Sequence, residues 1–424
     1  MKPKTNNRVE GKKKLKDTSS GFAWQADWRN FRHWPTSALF VVFVFLLAGG
    51  YLIGMNHRYV EAVVAPMFGI KVSADQIDLS SVEQTYQTLK STYDGKLNTQ
   101  ALIDGANKGL VEAVGDKWTV YLTKQDSANF NNDLTGNIGG GIGVEIGIRN
   151  DRTTAVRILD GNPGAAAGLK VGDIIDKVDG KSTDGQTVDQ VANAIRGEVG
   201  STVKIDVLRA GKSMSFTITR DTVDNPSVYS TISGKIGIMT ITRFDDQTAS
   251  LAKAQALSFR KAGVTGVILD LRDNGGGYID EARSVASLWL NNKVVVIEKT
   301  GGVTTDTLKS DSSPILNGIK TVVLVNGNSA SAAEIVAGAL KDNGVATLIG
   351  TQTYGKGSVQ SLINLPGDAE LKVTTARWYT PDGVNITDKG ITPDKVVNIT
   401  SDDMNHWSDP QMDAAKLVFG RIDN

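Results

Sequence analysis

The chain has 424 residues, too many for one compact core, so two or three domains are expected. Its 46 lysines and arginines are balanced by 46 aspartates and glutamates, and this balance points neither to nucleic acid nor to an acidic substrate. The absence of cysteine excludes disulfides, thiolate catalysis and cysteine-ligated zinc, and only three histidines are present.

The first element is an apolar segment near the N-terminus. Residues 36–55 read TSALFVVFVFLLAGGYLIGM and contain no charged residue, and about 20 such residues are needed to cross a bilayer as a helix. A buried core helix seldom lacks a polar face, and a cleaved signal peptide seldom has so long a leader. Nine Lys/Arg against three Asp/Glu precede the segment. The charge bias therefore predicts a cytoplasmic basic tail at 1–35, a single-pass transmembrane helix at 36–56 in contact with membrane lipid, and an extracellular remainder at the cell membrane.

The remainder divides into four stretches by pattern. Residues 57–134 are predicted to form a helical cap, because residues 78–114 show helical stripes of apolar side chains. Residues 135–222 change to short β-type runs between turns, a stretch of PDZ size. Residues 223–400 alternate strand and helix patterns, which predicts a layered α/β core. Residues 401–424 form the last stretch, and one short C-terminal helix is predicted there over residues 402–419.

A glycine-rich loop opens the β-rich stretch. In GNIGGGIGVEIG, successive backbone N–H groups could converge on an anion, such as a free peptide C-terminus. A phosphate loop and a plain glycine hairpin are the alternatives, but no lysine follows the glycines and a strand comes next. The downstream LDGNPGAAAGLKVGDIIDKVDGKST resembles the PDZ family, with Gly141, Ile142, Gly143 and Val144 in the place of its carboxylate loop. PDZ domains bind peptide tails by adding a strand to a sheet edge.

A serine follows a buried strand in TVVLVNGNSASAAEIVAGAL. Ser331 is expected at or just before the first turn of a helix. A helix-capping role for Ser329 or Ser331 is one interpretation. In the other, the Oγ of Ser331 is an exposed nucleophile, with the helix end and the N–H of Ala332 beside a developing oxyanion.

The nucleophile would need a base, and no histidine of this stretch precedes His406. Lys356, in GTQTYGKGSVQ, is the remaining candidate. The same segment is close to a phosphate-binding P-loop, but Gly357 stands where Ser or Thr would hold magnesium, and a strand pattern follows. To act as a base, Lys356 needs a pKa reduced by burial from the ~10.4 of a free lysine to roughly 7–8.

Three glycines follow another core strand in VILDLRDNGGGYIDEA. An ordinary turn explains one glycine better than three, so close backbone approach to a ligand is favoured. A second oxyanion donor is predicted at Gly275 or Gly276.

Taken together, DLRDNGGG, NGNSASAAE and TYGKGSVQ, in this order and behind a PDZ-type stretch and GDKWTVYL, resemble the carboxy-terminal processing proteases, also called tail-specific proteases. The resemblance covers residues 78–400 approximately. It implies a PDZ domain before a crotonase-like α/β core with a Ser/Lys dyad, in which Ser331 is the nucleophile, Lys356 the general base and Gln360 a residue that positions the lysine. No metal or organic cofactor is implied.

Other matched positions have less defined roles. Glu334 fits the motif, although the helix dipole explains a glutamate there equally well. Arg196, at the end of the PDZ helix, is a candidate link to the protease core, with an unpaired surface arginine as the alternative. Two departures from the family, Ala333 in place of a commoner serine and DKWTVYL in place of a DPYT-type sequence, are not expected to touch the dyad.

The sequence predicts a membrane-anchored serine endopeptidase that cleaves extracytoplasmic proteins with free C-terminal tails. A trypsin-like PDZ protease would need a His/Asp/Ser triad, which is absent. A catalytically silent PDZ scaffold would not need the dyad residues. Substrate identity and oligomeric state, a homo-oligomer included, stay open, and no nucleic-acid partner is expected.

Overall fold

The structure is a computed structural model that describes residues 36–55 and 78–420, with side chains in the first stretch described for residues 40–51. The chain forms two compact units, one ending at Leu97 and the other beginning at Asn98.

In the unit that ends at Leu97, the described residues form helix α1 (Thr36–Met55) and helix α2 (Ser80–Thr92). No helix of the part so described is long and apolar enough to cross a membrane. The transmembrane helix at 36–56 stays a prediction, and the basic tail at 1–35 lies outside the described residues.

The unit that begins at Asn98 contains the remaining helices and all strands of the described residues. The helices are α3 Thr99–Glu112, α4 Lys124–Thr135, α5 Pro163–Ala166, α6 Val188–Ile195, α7 Thr248–Lys261, α8 Ile279–Ala286, α9 Ala332–Asp342, α10 Ser401–Asn405 and α11 Pro410–Leu417. The strands are β1 Val120–Leu122, β2 Gly140–Gly141, β3 Val144–Arg149, β4 Arg152–Ile158, β5 Ile174–Val178, β6 Lys181–Ser182, β7 Thr202–Arg209, β8 Lys212–Thr219, β9 Asp221–Thr222, β10 Val228–Ser233, β11 Ile236–Ile241, β12 Gly266–Asp270, β13 Val294–Thr300, β14 Val303–Lys309, β15 Lys320–Val325, β16 Ala346–Gly350, β17 Ser358–Leu365, β18 Ala369–Tyr379 and β19 Lys395–Val396.

An antiparallel sheet with its own apolar core occupies the predicted PDZ stretch. Its strands follow the order β3-β4-β5-β7-β8, with β6 on β5. Alternate residues of β7, such as Val203 and Ile205, are fully buried, as expected for a sheet with one covered face. Among the described residues, strand β3 pairs only with β4 and lies beside helix α6, so in that part of the chain one backbone edge of β3 is free to accept an added strand.

A second sheet, of order β10-β11-β12-β15-β16-β19, forms the α/β core. Strands β11, β12, β15 and β16 run parallel, and β12 is buried along its whole length. The register pairs Asp270, the last residue of β12, with Leu324 near the end of β15. Because the carboxyl ends of parallel strands meet at one edge of a sheet, the loops after β12 and β15 emerge side by side.

A third sheet contains β1, β13, β14, β17 and β18, and most of it was not predicted. Strand β17 matches the predicted strand in SVQSLINL. Strand β14 exposes polar side chains along most of its length, so its sequence lacks the apolar alternation that indicates a half-buried strand. The alternation in β18 changes phase at Thr374 and Thr375, where the pairing with β17 shifts register. Strand β17 begins two residues after Lys356, and this sheet therefore supports the loop that carries the predicted base.

The C-terminal stretch contains two short helices, so the prediction of one helix is wrong. Helix α10 ends at Asn405, and Trp407 adopts a positive φ of 57° that a helix cannot continue through. Helix α11 then begins with Pro410 at its first position.

Candidate active site

Ser331 occupies a sharp turn between strand β15 and helix α9. It is the N-cap residue of α9, with φ 54° and ψ −115°, so the predicted position just before the first helical turn is confirmed. A positive φ is unfavourable for a residue with a side chain and persists only where the surroundings enforce it. The amide of Ala332, the first helical residue, donates to no group of the described residues.

The neighbouring Ser329 has a structural role. Its side chain is fully buried, its hydroxyl donates to the carbonyl of Leu271 at 2.7 Å, and it accepts the amide of Asn326 at 2.9 Å. Ser329 therefore ties the loop after β15 to the end of β12. Of the two serines considered, Ser331 is the one that lines the open cavity.

The glycine loop after β12 packs directly on this turn. A Cβ added at Gly276, whose φ is 105°, would lie 2.7 Å from the Cβ of Ser331. The amide of Gly276 already donates to Oδ1 of Asn274 at 2.9 Å, which leaves this residue without the free donor that the predicted oxyanion role requires. The amide of Gly275 has no acceptor among the described residues and is the remaining candidate in this loop.

Lys356 is partly buried in the loop between β16 and β17. Burial, with help from the nearby charge of Lys372 and against the attraction of Glu334, lowers the pKa of Lys356 to about 8. Its ammonium forms no ion pair within the described residues, and its Nζ lies 5.2 Å from the ring centroid of Trp118. Lys356 and Ser331 line the same cavity.

The buried carboxylate of Glu334 joins the serine turn to the lysine loop. Its Oε2 accepts the amides of Ser331 at 2.9 Å and Lys356 at 3.0 Å. Its Oε1 accepts the amide of Gly355 at 2.8 Å and the hydroxyl of Thr353 at 2.5 Å. Burial raises the pKa of Glu334, although these four hydrogen bonds oppose the shift. Glu334 thus bonds to both predicted dyad residues through their backbones, which a helix-dipole role alone does not require.

Gln360, predicted to position Lys356, and Arg196, predicted to link the PDZ stretch to the protease core, also line the cavity. The amide Nε2 of Gln360 donates to the hydroxyl of Ser358 at 2.6 Å, and no bond to Lys356 is present among the described residues. Arg196 is exposed and forms no ion pair in that part of the chain. Their predicted roles stay predictions.

The cavity, of about 1360 Å³, extends from Ser331 to the predicted carboxylate loop. Gly141, Ile142, Gly143 and Val144 all line it. The amides of Ile142 and Gly143 donate to no group of the described residues, and Gly143 has a φ of 69°. Two unpaired N–H groups at the end of the free edge of β3 are suited to a carboxylate.

Sequence reasoning missed two residues beside Lys356. The expectation that the DKWTVYL departure leaves the dyad untouched is wrong, because this segment places the ring of Trp118 next to the ammonium of Lys356. Lys372, on β18, lowers the pKa of Lys356 by like charge. The departure at Trp118 was a visible signal, whereas Lys372 has none in the sequence.

Comparison with known proteins identifies three family segments. Residues 235–397 match peptidase family S41, residues 155–209 match a PDZ domain, and residues 54–126 match the N-terminal domain of the activating protease CtpB.

Individual relatives match most of the chain. The Probable CtpA-like serine protease of Staphylococcus haemolyticus is 33% identical over 369 residues, covering 86% of this chain and 72% of that protein. Its counterpart in Staphylococcus aureus strain MSSA476 is 34% identical over 363 residues, covering 84% of this chain and 72% of that protein. A crystal structure from Bacteroides fragilis, described as an S41 protease, has a TM-score of 0.58 at 16% identity, covers 84% of this chain and 100% of that one, and supports the fold alone.

The extent of these matches and the PDZ segment ahead of the α/β core agree with the resemblance drawn from the motifs. The chain belongs to peptidase family S41 and is a PDZ-containing serine peptidase of the CtpA-like, C-terminal processing group.

Proposed function

We propose that this protein is a membrane-anchored endopeptidase that cleaves extracytoplasmic proteins through an acyl-enzyme on Ser331, with Lys356 as general base. The observation that carries the proposal is the carboxylate of Glu334, which accepts the backbone amides of both residues at 2.9 and 3.0 Å. A single buried group thereby fixes a strained serine turn against a desolvated lysine. Covalent catalysis needs a nucleophile and a base within reach of each other, and this shared carboxylate supports such a pairing.

In the proposed reaction, neutral Lys356 takes the hydroxyl proton of Ser331 as the Oγ bonds to the scissile carbonyl carbon. The carbonyl oxygen becomes an oxyanion, for which the free amides of Ala332 and Gly275 are the candidate donors. When the C–N bond breaks, the ammonium of Lys356 returns the proton to the leaving amine. Water then attacks the acyl-enzyme with Lys356 again as base, which releases the carboxylic acid and restores Ser331.

A lysine can perform these transfers only if its neutral form is accessible near the working pH. A pKa of about 8 for Lys356 leaves on the order of a tenth of the molecules neutral at pH 7, whereas an ordinary lysine at ~10.4 would leave fewer than one in a thousand. The burial of Lys356 thus supports its role as base.

The PDZ stretch is proposed to select substrates by their C-terminal tails. A peptide added to the free edge of β3 would end at the unpaired amides of Ile142 and Gly143, and its other end would point along the cavity toward Ser331. Recognition by backbone amides depends on the negative charge of the terminal carboxylate.

A peptide with a free C-terminus is expected to be cleaved with a kcat/KM at least about tenfold higher than its amidated form, because amidation removes the charge that the loop binds. Cleavage of both peptides by the full-length protein is measured by mass spectrometry.

The matched variants are Val188→Arg and Val199→Arg. Val188 lines the groove beside β3, and Val199 is an exposed residue outside the cavity. Val188→Arg should abolish the preference for the free terminus, and Val199→Arg should keep it. Equal cleavage of the free and amidated peptides by the unaltered protein would remove tail recognition, and failure to cleave either would contradict the proposed activity.

Anchoring is proposed through residues 36–56, on the grounds that 36–55 contain no charged residue and that the described side chains from Phe40 to Leu47 are largely exposed. The full-length protein should stay in the membrane fraction after alkaline extraction, and a protein beginning at residue 57 should be released. Release of the full-length protein would contradict anchoring.

A further inference from the structure

We propose that Trp118 is a positioning residue for Lys356, whose indole ring forms the wall that separates the lysine ammonium from solvent. The proposal deepens the proposed function, since it rests on Lys356 acting as the base. Trp118 belongs to the segment before the PDZ stretch, so that segment would contribute directly to catalysis.

The ring lies against the end of the lysine side chain. The Nζ of Lys356 is 5.2 Å from the ring centroid of Trp118, within the range of a cation–π contact. The Trp118 ring also meets Tyr354 edge to face, with centroids 5.9 Å apart. Since Tyr354 lies in the same loop as Lys356, Trp118 contacts this loop at two points.

Hydrogen bonds to Asp116 hold the backbone that carries this ring. Its carboxylate accepts the amide of Trp118 at 3.2 Å, the hydroxyl of Thr119 at 2.6 Å and the hydroxyl of Thr374 at 2.5 Å. The hydroxyl of Thr119 in turn accepts the amide of Thr374 at 3.1 Å. Thr374 belongs to β18, which pairs with the strand that follows Lys356, so the ring and the lysine are supported by one sheet.

Charged residues surround Lys356 and the ring of Trp118, and two of them act on the pKa of the lysine. Lys372 on β18 disfavours the ammonium form, and Glu334 on α9 favours it. Lys117, beside Trp118, has its ammonium 5.0 Å from the same ring centroid and pairs with Asp388 at 2.5 Å. These groups would all remain after removal of the ring.

The ring itself has two opposing effects on the lysine. Its π electrons attract the ammonium, whereas its bulk excludes the water that would solvate the ammonium. Burial is the largest cause of the reduced pKa of Lys356, and the proposal assigns part of that burial to the ring. Loss of the ring should therefore move the pKa of Lys356 from about 8 toward its ordinary value of 10.5.

The test uses full-length protein carrying Trp118→Ala, with Trp118→Phe as the conservative control. Two quantities are measured against pH: kcat/KM for a peptide substrate, and the rate at which acetic anhydride acetylates Lys356, followed by mass spectrometry. In the unaltered protein both should inflect near pH 8. In Trp118→Ala both should inflect at least about one pH unit higher, so kcat/KM at pH 7 falls about tenfold or more and recovers above pH 9. Trp118→Phe should keep both inflections close to those of the unaltered protein.

The outcomes separate the inference from the proposed function. If acetylation shifts in Trp118→Ala while the rate profile does not, Trp118 shields Lys356 but Lys356 is not the base, and the proposed mechanism is overturned. If acetylation does not shift, the inference is overturned, whether activity is unchanged or falls equally at every pH. Thermal melting of each variant identifies a loss of activity that comes from unfolding.

Discussion

Ser331→Ala and Lys356→Ala are each expected to lower kcat/KM by at least about a thousandfold, because nucleophile and base act as one unit. For the same reason, the double variant should be hardly less active than either single variant. Steady-state cleavage of a peptide with a free C-terminus measures the loss. Both variants should remain folded, since Ser331 and Lys356 are held through their backbone amides, which alanine retains.

The controls are Ser250→Ala and Lys253→Ala on helix α7, where both residues are exposed. They remove the same chemical groups far along the chain from the site and should leave cleavage unchanged. Ser329→Ala is not a suitable control. Its buried hydroxyl bonds to Leu271 and Asn326, so its loss is expected to disturb the serine turn. If Ser331→Ala cleaved the peptide with the kcat/KM of the unaltered protein, Ser331 would be excluded as the nucleophile.

The serine turn was predictable because the strand pattern, the turn residues and the helix pattern around it all indicate the same local structure. Strands β12 and β15 are near-continuous apolar runs, as buried parallel strands are, and each ends in residues that favour a turn. Their adjacency at one sheet edge follows from α/β topology. The sequence therefore led to Ser331, Lys356 and the glycine loop without knowledge of any distance.

Contacts made by side chains from distant segments were not predictable in the same way. Trp118 lies beside Lys356 in a segment that Asp116 bonds to β18, a strand whose apolar alternation changes phase at Thr374 and Thr375. The hydrogen-bonded amide of Gly276 was equally hidden, since it depends on the side chain of Asn274 turning back toward the loop. The motifs therefore indicated which residues form the site, but only the structure shows which of their backbone amides are already hydrogen-bonded.

Glu334→Ala is expected to destabilise the protein by at least about 3 kcal/mol, because it leaves buried donors without their acceptor. The donors affected are the amides of Ser331, Gly355 and Lys356 and the hydroxyl of Thr353. The turn and the lysine loop would no longer share a partner, so cleavage should also fall at least about a hundredfold. Chemical denaturation and peptide cleavage measure the two effects.

Glu334→Gln separates the two effects, because glutamine keeps one carbonyl oxygen. If that oxygen takes the place of Oε2, it can still accept the amides of Ser331 and Lys356, and the amide nitrogen then faces Gly355 and Thr353. The hydroxyl of Thr353 can turn to accept, but the amide of Gly355 loses its acceptor, which costs about 1–3 kcal/mol. We therefore expect a destabilised protein that retains much of its activity below its melting temperature. Asp342→Asn, at the other end of helix α9, should change neither property by much, since within the described residues its carboxylate accepts one hydrogen bond, from the amide of Asp382 at 3.1 Å. Full stability of Glu334→Ala, or equal inactivity of the Gln and Ala variants, would show that Glu334 does not act by holding the two backbone amides together.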